Sequence, residues 1–138
     1  MNREMIHPAT IPVEELFAQC KMTKTRRSGP GGQHRNKVES AVVLEHQPTS
    51  VIAEANERRS QHENRREAVF RLRMKLALVV RIEKSSEHPL TTAWSSRVKS
   101  GKIAINPSHE DFPAFMAEAL DWMNFFEFDL KLTAEKLR

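Results

Sequence analysis

The spacing of apolar residues after position 60 predicts the longest helix in the chain. Ser60 and Glu63 form an S-x-x-E capping box, in which each side chain can accept from a free backbone N–H group of the other at the start of a helix. Apolar residues then recur at intervals of three and four, as one face of a helix requires. These residues are Val69, Leu72, Leu76 and Val79. We therefore predict one long helix over residues 60–82.

Shorter patterns before this helix predict a small sheet. Residues 13–19 (VEELFAQ) are typical of a short helix, and the alternating segment KMTKTRR after them is typical of a polar edge strand. The segment NKVES can form one helical turn. The apolar runs AVVLEHQ and VIAEAN flank the turn sequence PTS, so residues 41–56 are predicted to form a β-hairpin. This order predicts a small α+β domain, with an antiparallel or mixed sheet, a glycine loop and the long helix covering the sheet.

The rest of the chain divides into an irregular segment and a second helical region. Residues 83–110 contain Ser, Pro, Thr and Gly without a clear period and are predicted to be a linker or irregular arm. Pro113 suits the first turn of a helix that begins near Asp111. An apolar stripe follows in that helix, at Phe115, Ala119, Trp122, Met123 and Phe126. The stripe is expected to be core, or to pack against the first domain, or to bind a partner. The predicted organisation is a first domain over residues 1–82, this linker, and a helical extension over residues 111–138.

The distribution of charge predicts a polyanionic partner for the first part of the chain. Residues 1–109 carry 19 Lys and Arg against 11 Asp and Glu, whereas residues 110–138 carry three against seven. Two basic clusters lie at residues 21–37 and 58–75. Each cluster alone could be a solvated face, but two clusters flanking a glycine loop favour nucleic acid, because Lys and Arg neutralise phosphates.

Composition excludes several other classes of protein. The 138 residues suit one small soluble domain with an appendage. The single cysteine, Cys20, cannot form an internal disulfide and is expected to be a small buried residue. No stretch approaches the roughly 20 apolar residues of a membrane span, and the N-terminal residues lack the apolar core of a signal peptide. We therefore expect a cytoplasmic protein.

Conventional side-chain catalysis has little support in this sequence. There is no HExxH motif, no Walker loop, no dense carboxylate cluster and no Ser/His/Asp set in a recognisable context. The six histidines, His34, His46 and His62 among them, are scattered and are expected to be surface or packing residues. No metal site and no cofactor are predicted.

The segment RRSGPGGQHRNK, residues 26–37, favours chemistry by the backbone. It holds three of the four glycines in the chain and is surrounded by positive charge. Gly31 and Gly32 have no Cβ, so the chain there can take a positive φ and approach a ligand closely. A neighbouring N–H group can then be directed at a developing oxyanion.

Two linked stretches of this chain resemble a known family. SGPGGQHRNKVESAVVLEHQPTS, followed by RRSQHENRREA, closely resembles the peptidyl-tRNA hydrolysis domain of class I peptide chain release factors and of their shortened, codon-independent ribosome-rescue relatives. The resemblance covers roughly residues 12–80. It implies that the loop enters the peptidyl transferase centre of the large ribosomal subunit and promotes attack of water on the peptide–tRNA ester.

The resemblance also implies roles for individual residues. Gly31, Gly32 and Gln33 are the implied catalytic residues: the Gln33 N–H would donate to the oxyanion, and its side chain would restrict the nucleophile to water. Gln33 would be the substrate of a glutamine N-methyltransferase. A larger set would hold ribosomal RNA through charge and hydrogen bonds. This set is Arg27, Ser28, Arg35, Asn36, Lys37, Arg58, Arg59, Ser60, Gln61, Asn64 and Arg65.

Three departures from the family pattern bear on the subgroup. Ordinary release factors have a long N-terminal helical domain and a codon-reading domain, for which this chain has no room, so codon-independent ribosome rescue is expected. Pro30 gives the GPGGQ form of rescue members. The C-terminal region is acidic and aromatic, however, where rescue hydrolases usually have a basic tail. Ser50 stands in the hairpin turn where relatives often have glycine.

Two functions therefore remain open from the sequence. The first is a release-factor-like peptidyl-tRNA hydrolase that acts on the ribosome. The second is a non-hydrolytic module that binds RNA or the ribosome and recruits a protein partner through the aromatic C-terminal helix.

Overall fold

The computed structural model describes residues 6–25 and 40–138, which form two compact units. One unit is the described part of Ile11–Leu76, and the other comprises residues 6–10 and 77–138. The predicted loop at residues 26–37 and the helical turn predicted for NKVES lie outside the described residues, except for Ser40.

A three-stranded antiparallel sheet forms the centre of the first unit. Among the described residues its strands are β1 (Cys20–Thr25), β2 (Ala41–His46) and β3 (Val51–Ala55), in the order β1-β2-β3. The predicted edge strand and hairpin are both confirmed. Ser50 closes the hairpin turn with a φ of 60°, the left-handed conformation that glycine adopts more easily.

Two helices complete this unit. Helix α1 (Val13–Ala18) precedes β1, and helix α2 (Gln61–Val79) follows β3, as predicted; residues 77–79 at the end of α2 are counted in the other unit. Two hydrogen bonds show that helix α2 runs antiparallel to β3. Arg71 Nη1 donates to the Glu54 carbonyl (2.9 Å), and Lys75 Nζ, further along the helix, donates to the earlier Ile52 carbonyl (2.6 Å). These bonds satisfy outward-facing carbonyls of an edge strand.

The core of the unit lies on one face of α2 and one face of the sheet. Val42 and Leu44 of β2 and the paired Ala53 and Ala55 of β3 are buried. Three of the four predicted stripe residues in α2 are buried, at Val69, Leu72 and Leu76. The fourth, Val79, is 63% exposed.

Helix α2 ends three residues earlier than predicted because tertiary contacts take up the next backbone groups. His7 Nε2 bonds to the Val80 carbonyl (2.9 Å), and the Ile82 N–H donates to Asp121 Oδ1 (3.1 Å). Neither contact could be predicted from local sequence. Residues 80–82 therefore leave the helix although their composition permits its continuation.

The second unit is built mainly from helices. A 3₁₀ helix (Pro8–Thr10) is joined by α3 (Thr92–Arg97), α4 (Phe112–Phe125) and α5 (Leu130–Leu137). The two C-terminal helices confirm the predicted helical segment. Of the predicted stripe, Phe115 and Trp122 are buried and the other three residues are half-buried.

Residues 83–110 are irregular over most of their length, as predicted, but they contain α3. Thr91 caps this helix by accepting from the Trp94 N–H (3.2 Å), and the Trp94 indole donates to the Leu137 carbonyl (2.7 Å). Six helical residues are too few to show periodicity, which is why the sequence pattern did not reveal α3. The α+β fold class is confirmed, while the domain boundaries at residues 82 and 110 stay predictions.

Candidate nucleic-acid interface

The predicted catalytic loop joins two neighbouring strands at one end of the sheet. Gly31, Gly32 and Gln33 lie outside the described residues, as do Arg27, Ser28, Arg35, Asn36 and Lys37. The flanks of this segment are described: Thr25, the last residue of β1, pairs directly with Ala41, the first residue of β2. The antiparallel sheet therefore holds both ends of the segment side by side.

Asn64 fixes the backbone at the C-terminal flank of this segment. Its side-chain Nδ2 donates to the Ser40 carbonyl (2.7 Å) and to the Arg58 carbonyl (3.0 Å), and its Oδ1 accepts from the Arg58 N–H (3.0 Å). Asn64 is fully buried. The prediction that it contacts RNA therefore needs correction: its amide is committed to protein backbone, and it acts as a positioning residue for Ser40 and Arg58.

The other predicted residues near the start of α2 remain accessible. Arg58 and Arg59 are exposed, and Ser60, Gln61 and Arg65 are half-buried. The Ser60 hydroxyl accepts from the Glu63 N–H (3.3 Å), which confirms its capping role. The Arg65 guanidinium lies 3.9 Å from the centre of the Phe17 ring, a cation–π contact that orients it without neutralising its charge. The start of α2 thus combines exposed cations with the positive end of a helix dipole, a setting that attracts phosphate.

The sequence did not reveal one ion pair beside this surface. Arg71 Nη1 lies 2.9 Å from Glu57 Oε1, and this bond holds the pKa of the Glu57 carboxyl below its ordinary value. The same arginine also bonds to the Glu54 carbonyl. Arg71 therefore anchors the turn between β3 and α2, which carries Arg58 and Arg59.

The remaining nucleophilic and titratable side chains of this unit have structural roles. The Cys20 thiol donates to the Leu16 carbonyl (3.3 Å), and burial raises its pKa, so the reactive thiolate is disfavoured. The His46 ring lies 2.7 Å from both Thr49 Oγ1 and Gln19 Oε1, which ties the hairpin turn to the end of α1. Burial lowers the pKa of His46 and keeps the ring neutral.

In residues 6–25 and 40–138 no group of three or more His, Cys, Asp and Glu side chains could hold a metal ion. No helix in the described part of the chain combines the length and the apolar character needed to cross a membrane.

Comparison with known proteins extends the resemblance seen in the sequence. Peptide chain release factor 1 of Xylella fastidiosa is 42% identical over 74 residues, which are 54% of this chain and 20% of that protein. Peptide chain release factor 2 is 34% identical over 96 residues in Haemophilus ducreyi, or 65% of this chain and 26% of that protein. The same factor of Burkholderia cenocepacia is 34% identical over 101 residues, or 73% of this chain and 26% of that protein. The chain spans about a fifth to a quarter of the length of these relatives.

The model of one protein family, the RF-1 domain, matches residues 9–110. This range includes the GGQ loop, the sheet and all of α2. Since the match covers well over half of the chain, the protein belongs to the RF-1 domain family.

Proposed function

We propose that this protein hydrolyses the ester of peptidyl-tRNA on the ribosome through Gly31, Gly32 and Gln33. The observation that carries the proposal is the family match over residues 9–110, which encloses an intact GGQ sequence. The pairing of Thr25 with Ala41 supports it, because a loop whose ends are held together can project from the sheet as one unit.

In the proposed reaction, water attacks the ester carbonyl carbon. The bond from that carbon to the 3′ oxygen of the tRNA breaks, and one water proton passes to that oxygen, which leaves a peptide carboxyl group and free tRNA. The Gln33 N–H stabilises the tetrahedral oxyanion, and its side-chain amide limits the nucleophile to water. Gly31 and Gly32 permit the backbone conformation this requires.

The basic residues are proposed to hold ribosomal RNA around the loop. Asn64 orients the backbone of Arg58, and Phe17 orients the side chain of Arg65. The contacting residues are Arg27, Ser28, Arg35, Asn36, Lys37, Arg58, Arg59, Ser60, Gln61 and Arg65. These contacts fix the position of the protein on RNA without reading its sequence.

The subgroup we propose is codon-independent ribosome rescue, with Gln33 as the substrate of a glutamine methyltransferase. Pro30 supports this assignment, because it gives the GPGGQ form of rescue members. On this proposal, peptide release requires no stop codon.

The test is peptide release from ribosomes that carry peptidyl-tRNA on truncated mRNA. Gln33→Pro removes the backbone N–H, so we expect it to lower the release rate by on the order of 10² to 10³, and by far more than Gln33→Ala does. A Gly31→Ala, Gly32→Ala variant is the loss-of-function control. Equal rates for the two Gln33 variants would remove the backbone role, and a strict requirement for a stop codon would remove the rescue assignment.

The second candidate is a non-hydrolytic ribosome-binding module with a protein partner. Phe128, which precedes α5, and Leu130, its first residue, are 67% and 69% exposed, which favours a docking surface there rather than on the buried Phe115 and Trp122. Ribosome binding with no glycine-dependent release in the same assay would favour this candidate.

A further inference from the structure

Residues 99–102 form a tight hairpin turn in the second unit, which we name the basic turn. The Lys99 N–H donates to the Lys102 carbonyl (2.8 Å), and the Lys102 N–H donates to the Lys99 carbonyl (3.0 Å). Ser100 and Gly101 between them have φ values of 52° and 71°, as a type I′ turn requires at both central residues.

This geometry places two ammonium groups on one face of the turn. Residues that exchange both backbone hydrogen bonds lie directly opposite each other, and their side chains point to the same side. Like charges in such a pair repel each other. Both lysines are exposed, and within residues 6–25 and 40–138 neither side chain has a hydrogen bond or an ion pair.

Neighbouring charges strengthen this positive surface. A Cβ built on Gly101 would lie 3.8 Å from the Arg138 Cβ, so a third cationic residue adjoins the tip of the turn. Residues 88–109 contain no Asp or Glu. Arg97, two residues before the basic turn, lies with its guanidinium 5.7 Å from the centre of the Phe115 ring and is not counted in this surface. The basic turn therefore presents two exposed cationic side chains that form no ion pair within the described residues.

We propose that the basic turn binds the phosphate backbone of RNA, as a contact separate from the loop and the start of α2. The proposal rests on the ribosomal function proposed above. An RNA ligand fits better than an acidic protein, because Ser100 and Gly101 add no apolar anchor, whereas protein interfaces are built around an apolar core. Lysine binds phosphate as a point charge, and such contacts position a protein on RNA of any sequence.

The test measures how the affinity for single-stranded oligouridine RNA depends on salt. The logarithm of the affinity falls linearly with the logarithm of the salt concentration. On a single strand, each lost phosphate contact makes this slope less steep by about 0.7. For the double variant Lys99→Gln, Lys102→Gln we expect a slope less steep by about 1.4. Raising the salt concentration from about 50 to 200 mM then reduces the RNA affinity of this variant about sevenfold less than that of the wild type. Lys99→Arg, Lys102→Arg should keep the wild-type slope.

The matched control is Lys131→Gln, which removes an exposed lysine of the same unit at the other end of α5 from Arg138. It should leave the slope unchanged. Thermal unfolding should show that the double Gln variant is at least as stable as the wild type, because a repulsive pair has been removed. A double variant with the wild-type slope would overturn the proposal.

Two further arms separate the possible failures. The wild type could bind polyglutamate as tightly as oligouridine, and the double Gln variant could lose the same affinity for both. In that case the basic turn recognises acidic protein and the proposal is wrong. Peptide release tests the proposed function independently. If the wild type releases peptide but the double Gln variant keeps the wild-type salt slope, only the proposal that the basic turn binds RNA is contradicted. If the double Gln variant has a less steep slope but the wild type releases no peptide, only the proposed hydrolase activity is contradicted.

Discussion

Asn64 positions two parts of the candidate site, the C-terminal flank of the loop and the backbone of Arg58. Its amide makes three hydrogen bonds to backbone groups of Ser40 and Arg58, of which the bond to Ser40 is buried and the two bonds to Arg58 are partly buried. A buried polar group that loses its partner costs about 1–3 kcal/mol, and this one side chain satisfies the Ser40 carbonyl and two partly buried groups of Arg58. The position of the loop flank therefore depends on one amide.

For Asn64→Ala we expect the free energy of unfolding to fall by about 3 kcal/mol, because the Ser40 carbonyl and both Arg58 backbone groups lose their partner. Urea titration measures this change. The matched control is Arg66→Ala, an exposed position two residues further along α2 that should shift stability by no more than about 0.5 kcal/mol. Equal effects of the two substitutions would show that the three bonds do not stabilise the fold.

At the scale of secondary-structure elements, helix α2 shows which features the sequence could predict. Its helical type and its apolar face follow from local spacing, and the same spacing indicates that Asn64 is buried. Asn64, Ala68, Leu72 and Leu76 recur every fourth residue, and all four are fully buried. Local spacing does not indicate where α2 ends, because its last residue is set by contacts with His7 and Asp121, which are distant in sequence.

The candidate site was predictable to a similar extent. The capping role of Ser60 and the exposed Arg58 and Arg59 follow from a motif of adjacent residues. The ion pair of Arg71 with Glu57 depends on the path of the chain between β3 and α2, which no periodicity reports. Local chemistry is thus visible in the sequence, whereas the contacts that orient it depend on the fold.

Two leucines of α2 provide a direct test of this description of the helix. Leu72 is fully buried and Leu78 is 58% exposed. We expect Leu72→Ala to lower the free energy of unfolding by about 2–5 kcal/mol, because it leaves a cavity in the core. Leu78→Ala removes the same atoms and should cost no more than about 0.5 kcal/mol. A similar loss for both variants in urea titration would contradict the orientation of α2.

At the scale of the whole molecule, each of the two units contains a buried neutral histidine. In one unit His46 is buried at the hairpin turn; in the other, His7 Nδ1 accepts from the Ala9 N–H (3.0 Å), which leaves its Nε2 proton for the Val80 carbonyl. Burial lowers the pKa of both rings. For His7, burial has the largest effect on the pKa; the hydrogen bond to the Val80 carbonyl and the nearby Asp121 carboxyl oppose the shift.

We therefore expect protonation of these two rings to destabilise the protein in mild acid; the buried Asp121 carboxyl, whose pKa is raised by burial, acts in the opposite direction. Because the unfolded chain binds protons on these imidazoles more readily than the folded chain does, protonation favours unfolding. The stabilising contribution is complete above about pH 6.5, the ordinary pKa of histidine, and is lost as the pH falls below it, with a slope of at most about 1.4 kcal/mol per pH unit for each ring. Urea titrations at a series of pH values between about 8 and 5 measure this slope.

A pair of glutamine variants identifies the origin of this pH dependence. His46→Gln removes the titrating ring but keeps an amide that can bond to Gln19, so its unfolding free energy should depend less on pH than that of the wild type. His62→Gln replaces an exposed histidine and should reproduce the wild-type profile. If His46→Gln kept the full slope, His46 would not titrate differently in the folded and unfolded chains, and the acid sensitivity would arise from other groups whose pKa is lowered in the folded chain, which include His7 and Glu57.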